Sequence, residues 1–283
     1  VTELSYLKSI VLGIVQGATE FLPVSSSAHL AITQRLMVLD GSSDPMLIFD
    51  AAAHIGTVIA VGLVFRRAFT AYLIRLRSEL RPGFAGRRHA LRFCWLGILA
   101  SIPTAIIGLS FKDWFEASFA KPTHYGSALL LTGVLLATTA LVGRGKKGWA
   151  KFRPWHAVVI GIAQGCAVTP GISRSGSTIC TAALLGLRRR WAGEFSFFIA
   201  VPAVLGGAAV QFSKVAKMPA EHLAAVQWGP ILLGSVVSMI VGVVCLIWLV
   251  HVIRKARLHW FSIYCWILGG LILTGVVDRL GGN

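Results

Sequence analysis

Acidic residues are what this chain has least of. Only 11 of its 283 residues are Asp or Glu, and all charged residues together make up 13%. Soluble domains average roughly 25% charged residues. With 55% hydrophobic residues and a mean hydropathy of +0.74, the composition excludes a soluble globular domain and points to a polytopic membrane protein. Cysteine is also scarce and unpatterned. Cys94, Cys166, Cys180, Cys245 and Cys265 are odd in number and no pair has metal-ligand spacing, so a disulfide framework and a zinc site are excluded and the five read as small core residues. No low-complexity tail and no second domain is visible.

What the chain has in excess is positive charge, +16 net. The basic residues do not form a nucleic-acid groove; they sit in short loops between apolar stretches, which is the orientation signal of an inner-membrane protein. Of 27 Lys and Arg, eight fall at 66–92, five at 144–153, three at 188–190 and three at 254–257, marking the cytoplasmic side. Lys8, Arg35, Lys112, Lys121, Lys214, Lys217 and Arg279 are spread over the opposite side. Crossing a bilayer takes about 20 helical residues. Six stretches qualify, roughly 46–65, 93–111, 124–143, 193–213, 228–251 and 260–277.

Two other regions are apolar but interrupted. Residues 5–21 and 27–39 flank Pro23, and 155–168 and 176–187 flank Pro170-Gly171; such short pieces around a polar break read as re-entrant hairpins. Threading the spans through the charge pattern puts both termini outside, so the hairpins dip in from opposite faces. Gly13-Ile14-Val15-Gln16-Gly17 recurs as Gly161-Ile162-Ala163-Gln164-Gly165, one copy in each hairpin. The expectation is an all-α fold: one integral membrane domain, 1–283, with about six transmembrane helices and two re-entrant hairpins in an inverted-topology repeat. Repeat 1 covers about 1–143 with its hairpin at 5–39, and repeat 2 about 154–283 with its hairpin at 155–187. Ser25-Ser26-Ser27-Ala28 resembles a signal-peptide cleavage site, but Gln16 and Glu20 break the apolar run before it, so the segment is expected to stay in the mature protein. The linker 66–92, with Pro82-Gly83, is expected to be a cytoplasmic loop with an amphipathic piece that touches anionic lipid.

A carboxylate at membrane depth is costly and usually has a task. Only Glu20, Asp50 and Glu194 lie in or beside apolar segments. Gln16 and Glu20 share a helix face aimed at the Pro23 break, where they could hold a divalent cation or steer a proton. Ser25, Ser26, Ser27 and His29 follow; one serine can cap the next helix, and a serine near a histidine can be a nucleophile beside a base, provided the turn joins them. The second break, Pro170 to Thr178, is a glycine-containing turn into a helix whose amides and hydroxyls suit phosphate, with Arg174 as a bidentate clamp. His54 lies one turn from Asp50 and could face the site or only satisfy that carboxylate. His89, His124, His156, His222, His251 and His259 read as interfacial, and Tyr125, Trp155, Trp191, Trp228 and Trp260 as an aromatic belt.

The run Gln16, Glu20, Pro23, Ser25, Ser26, His29 and the run Pro170-Gly171-Ile172-Ser173-Arg174-Ser175-Gly176 resemble the two signature regions of the bacterial undecaprenyl-diphosphate phosphatases, the integral membrane family associated with bacitracin resistance. Glu194-Phe195-Ser196-Phe197 and Ala200-Val201-Pro202 resemble it too, and the likeness runs along essentially the whole chain. The resemblance implies hydrolysis of the lipid carrier's diphosphate to the monophosphate and inorganic phosphate, recycling the carrier for peptidoglycan synthesis. It implies a multi-pass protein of the bacterial inner membrane with its active site opening to the outer face. By position, Ser26 corresponds to the nucleophile, His29 to a base or phosphate contact, Glu20 to the acidic residue and Arg174 to the phosphate clamp. Ser173, Ser175, Gly176, Thr178, Ser25 and Ser27 complete the expected phosphate contacts. A divalent cation (Mg or Ca) is expected near Glu20 and Gln16, although an amide at Gln16, where some members carry Glu, weakens a two-carboxylate site. The expected partners are a polyprenyl diphosphate and membrane lipids, with no nucleic acid, and a homodimer is left open.

Two rivals remain. Inverted repeats with broken helices also build carriers, so a polyprenyl-phosphate flippase, alone or combined with the phosphatase, is the alternative. The membrane phosphatases with a histidine nucleophile need a histidine downstream of Ser-Arg; here Cys180 stands at that distance from Ser173-Arg174, and the match fails.

Overall fold

The computed structural model describes residues 3–82, 84, 86, 88–141, 145–148, 151–219, 221, 223 and 226–280. Gly83, Arg144 and His222, which the sequence reading used, lie outside the described residues. The chain is all-α; among the described residues the only β-type pairing is an isolated bridge between Lys147 and Leu187.

The first half holds α1 (Tyr6–Phe21), α2 (Ser26–Leu36), α3 (Asp44–Val64), α4 (Arg66–Glu79), α5 (His89–Ser110), α6 (Lys112–Phe119) and α7 (Pro122–Leu141). The second holds α8 (Pro154–Cys166), α9 (Arg174–Leu184), α10 (Arg189–Val215), α11 (Trp228–Arg254), α12 (Trp260–Leu273) and α13 (Val276–Leu280). Local chemistry sets the boundaries. Ser5 caps α1, its hydroxyl accepting from the Lys8 amide at 3.3 Å, and Pro23 forces the preceding Leu22 out of helix into extended backbone. Prolines open α3, α7 and α8, where their missing N–H is harmless.

Five helices among the described residues, α3, α5, α7, α10 and α11, are long and apolar enough to cross a membrane. The sixth expected span, 260–277, is shorter: α12 has 14 residues, and Gly275, at φ 72°, turns the chain before α13 begins. The outward faces are what hydrocarbon favours. Ile98, Ile102, Ile106 and Leu109 on α5, and Leu232, Val236, Ile240, Val244 and Ile247 on α11, form exposed apolar stripes. The chain is therefore a multi-pass membrane protein. α4 is the amphipathic piece of the 66–92 linker, with Leu73 and Ile74 exposed beside Arg75 and Arg77.

The recurring Gly-Ile-x-Gln-Gly has a packing cause. A Cβ on Gly17 would stand 2.5 Å from the Ser238 carbonyl oxygen of α11, and one on Gly161 would collide with the Ala100 carbonyl of α5. Each glycine lets its hairpin's first helix lie directly on a long helix of the other half, α1 on α11 and α8 on α5. The pairings of α3 with α10 and α11, and of α7 with α12, also join the halves. The main core runs between them through Phe21, Leu96, Leu129, Phe195 and Leu249; a smaller one gathers Leu12, Met46, Phe49 and Ile231.

Some expectations need correction. Tyr125 is not an interfacial aromatic but a core residue, 1% exposed, and His156 is equally buried. The His156 imidazole accepts the Arg153 amide at 2.7 Å and so caps α8. Cys180 and Cys265 are core residues as read, whereas Cys166 is exposed. Trp155, Trp228 and Trp260 are exposed, as a belt requires.

Candidate active site

The two hairpin tips meet. The Gly171 amide donates to Ser25 Oγ at 3.1 Å, and Ser175 Oγ donates to the Leu22 carbonyl at 3.4 Å. This junction brings residues far apart in sequence around one carboxylate. Glu20, in the last turn of α1, is buried. One of its oxygens is ion-paired with the Arg174 guanidinium from the start of α9. The other accepts from Ser26 Oγ at 2.6 Å and from Gln16 Nε2 at 3.0 Å, and His54 Nε2 lies 3.7 Å from it.

Ser26 is the first residue of α2, and its geometry is set by its neighbour. Ser25 sits at φ 69°, a left-handed conformation that costs a non-glycine residue of order 1–3 kcal/mol. The tip contacts hold it there. α9 starts on a capped turn, with Ser173 Oγ accepting from the Gly176 amide at 3.1 Å. Both hairpins thus present a helix N-terminus, the partial positive end of the macrodipole, to the same place.

That place is a cavity of about 600 Å³. Glu20, Ser25, Ser26, Ser27, His54, Ser173 and Arg174 form its polar end; α5, α8 and α10 supply the walls, with Lys112, Glu116 and Gln211 among the lining residues. Its lining is mostly small and apolar, as Pro202, Ala203, Gly206 and Gly207 of α10 show.

The expected site residues divide into three groups. Ser26 and Arg174 are each bonded to Glu20, and Ser25, Ser27 and Ser173 line the cavity beside them. Ser175, Gly176 and Thr178 serve the scaffold: Ser175 bonds Leu22, Gly176 packs on Pro23, and the Thr178 hydroxyl bonds Ser196 of α10. His29 is directed elsewhere. Its Nδ1 bonds the Ser25 carbonyl at 2.7 Å, its Nε2 bonds the Tyr264 hydroxyl at 2.6 Å, and its ring stacks on that tyrosine. The turn does not pair it with the Ser26 hydroxyl, which is bonded to Glu20.

His54 is the histidine that the cavity does contain. Its Nδ1 is held by the Asp50 carbonyl at 2.7 Å, leaving Nε2 facing Glu20. The i, i+4 spacing to Asp50 was visible in the sequence; the approach of α3 to the tip of α1 was not. The Asp50 carboxylate is bonded by Gln34 Nε2 at 3.0 Å.

The donor set also bears on the expected cation. Among the described residues no group of three His, Cys, Asp or Glu could hold a metal. Gln16 is fully buried and does not line the cavity; it steadies Glu20 rather than reaching a ligand. Among the described residues Glu20 is the carboxylate at the polar end of the cavity that could serve a cation as protein ligand.

A buried carboxylate, a hydroxyl bonded to it, a guanidinium and two helix N-termini around a membrane cavity define an integral membrane enzyme for a phosphorylated lipid. The chain belongs to the family of bacitracin resistance protein BacA, whose description matches residues 9–271. Full-length relatives named undecaprenyl-diphosphatase include one from Syntrophotalea carbinolica, 39% identical, covering 96% of this chain and 99% of its own. One from Carboxydothermus hydrogenoformans is 36% identical, with 94% and 96% covered. One from Methanobrevibacter smithii is 33% identical, with 97% and 99% covered.

Proposed function

We propose how this chain, an undecaprenyl-diphosphatase by its family and its full-length relatives, cleaves its substrate. The observation that carries the proposal is the chain Ser26–Glu20–Arg174 across the two hairpin tips. The diphosphate occupies the polar end of the cavity and the polyprenyl tail follows the apolar wall of α10. Arg174 and the amides opening α2 and α9 neutralise the terminal phosphoryl oxygens. A divalent cation bound there, with Glu20 as its protein ligand, would supply further charge neutralisation.

In the free site Arg174 is committed to Glu20. A phosphoryl group competes for the guanidinium, and Ser26 then becomes the principal partner of the carboxylate. Ser26 Oγ attacks the terminal phosphorus, its proton passes to Glu20, and the bond to the bridging oxygen breaks with prenyl monophosphate leaving. Water then cleaves the phosphoserine, restoring Ser26 and releasing inorganic phosphate.

The charge pattern supports a bacterial plasma-membrane orientation with the cavity open to the outer face. Lys112 and Gln211 line the cavity, whereas Arg92 and Arg190 stand at the opposite ends of α5 and α10. The reciprocal packing, α1 on α11 and α8 on α5, supports two inverted repeats, about 1–143 and 154–283, in one domain.

The test is phosphate release from a polyprenyl diphosphate in detergent, with and without chelator, by wild type and by S26A, E20Q and R174A. Each substitution should lower kcat by roughly 10²–10⁴, and rapid quench should trap a phosphoserine in the wild type. Full activity of S26A, with no trapped phosphoserine, would replace Ser26 by water as the attacking group.

A further inference from the structure

A second cavity of about 500 Å³ lies at the arginine-rich end of the same helices. It sits beneath α4, between the end of α3 and the starts of α5 and α10. Phe65, Phe69, Phe93, Phe197 and Phe198 make its body apolar, with Tyr72 and Trp191 beside them. Its rim carries Arg75, Arg92 and Arg190 with His89, against one carboxylate, Glu194. Arg75 and Arg190 are braced at Nε, by Glu79 at 2.9 Å and by Glu194 at 2.7 Å. The braces orient the two guanidinium forks and leave their outer amino groups uncommitted among the described residues. None of these residues lines the cavity around Ser26 and Arg174.

The two cavities share a seam. A narrow space of about 20 Å³, the size of a single water, is lined by Val61 and Phe197 of the second cavity and by Glu20, Arg174 and Val204 of the first.

Resting on the diphosphatase reading, we propose that the second cavity binds a single-chain prenyl monophosphate, the lipid product, at the arginine-rich face. Three observations select this occupant. The volume suits a head and the first part of one chain, within the range of about 300–1,000 Å³ usual for small-ligand sites. The two guanidinium forks of Arg75 and Arg190, each fixed at Nε by its own carboxylate, turn their remaining N–H donors to a phosphate monoester, whose three terminal oxygens accept more of them than the two of a phosphodiester. The seam sets this cavity directly beside the place where the monoester is made. α4, an interfacial helix with exposed Leu73 and Ile74, lies where a lipid entering from the bilayer would meet it.

The experiment uses the full chain in nanodiscs with a photoreactive farnesyl monophosphate, its adducts mapped by peptide mass spectrometry. Adducts are expected on α4 and the start of α10, around Phe69 and Trp191. They should resist a tenfold excess of phosphatidylglycerol or inorganic phosphate and yield to unlabelled prenyl monophosphate. The R75Q/R190Q double variant should weaken labelling about tenfold or more, as loss of charge-assisted hydrogen bonds implies. A68W, which fills the cavity from the exposed face of α4 without removing charge, should do the same. Both variants should keep detergent-phase phosphate release, which tests the diphosphatase reading separately. Adducts confined to the Glu20 cavity, or equal competition by phosphatidylglycerol, would overturn the proposal.

Discussion

Two histidines near the hairpin tips differ in what they can do. His29 ties the strained Ser25 backbone to Tyr264 of α12, so it positions Ser26 without touching it. His54 faces Glu20 from α3 with one nitrogen anchored, and lines the cavity. The charged and titratable groups around it are Glu20 on α1, Arg174 on α9 and Asp50 on its own helix, the last bonded to Gln34. We therefore expect H29A to lower kcat by about tenfold, through loss of positioning, while leaving the shape of the pH–rate profile unchanged. H54A should change that shape, and H54Q should not restore it, because an amide cannot exchange a proton in this range. Phosphate release between pH 5.5 and 9.5 decides between them. An H29A profile altered in shape and an H54A profile identical to wild type would reverse the assignment.

At the scale of the element, the glycines of the repeated motif are contacts rather than hinges. Replacing Gly17 or Gly161 by alanine drives a methyl into the facing backbone, Ser238 or Ala100. Backbone cannot yield as a side-chain end can, so each change should cost about 1–3 kcal/mol, read as a lower unfolding temperature in detergent. Ala at Gly206, which faces open space, should leave stability intact. A second device is the join of α4 to α5. The Glu79 carboxylate accepts the Ala90 amide at 2.8 Å and the Leu91 amide at 2.9 Å, capping α5 from the neighbouring helix. Burial opposes its ionisation, but these amides and Arg75 outweigh that and hold its pKa at about 2. A carboxylate depressed on folding contributes its full stability above its unfolded pKa and loses it as pH falls through the folded one. Acidification from about pH 4.5 to 2 should therefore lower the melting temperature of wild type more than that of E79Q. The hairpin helices were legible because Pro23 and Pro170-Gly171 punctuate their apolar runs. The short α6 and the truncation of α12 were not, since apolar composition continues through Gly275 and only the left-handed turn there ends the helix.

At the scale of the whole molecule, the site was half legible for one reason. Residue type in a short motif identifies Glu20, Ser26 and Arg174 as chemical partners, but partnership across the molecule depends on how the helices pack. His54 reaches Glu20 only because α3 lies against α1, and Thr178 leaves the site because Ser196 of α10 stands where it points. Charge, by contrast, is a property of the chain that survives folding. The basic residues of α4 and of the starts of α5 and α10 gather at one end, while Lys112, Lys214 and Glu116 form a small cluster at the other, Lys214 Nζ lying 2.8 Å from Glu116. The excess of arginine resists translocation, so that end should face the cytoplasm. In a variant lacking the five native cysteines, Q211C should then react with a membrane-impermeant maleimide on intact cells, and R77C only after the membrane is opened. Phosphate release by each variant in detergent shows that the fold is kept. Since Gln211 lines the catalytic cavity, its labelling should also block entry of the diphosphate and stop hydrolysis. Labelling of R77C but not Q211C on intact cells would invert the protein and place the catalytic cavity on the cytoplasmic face.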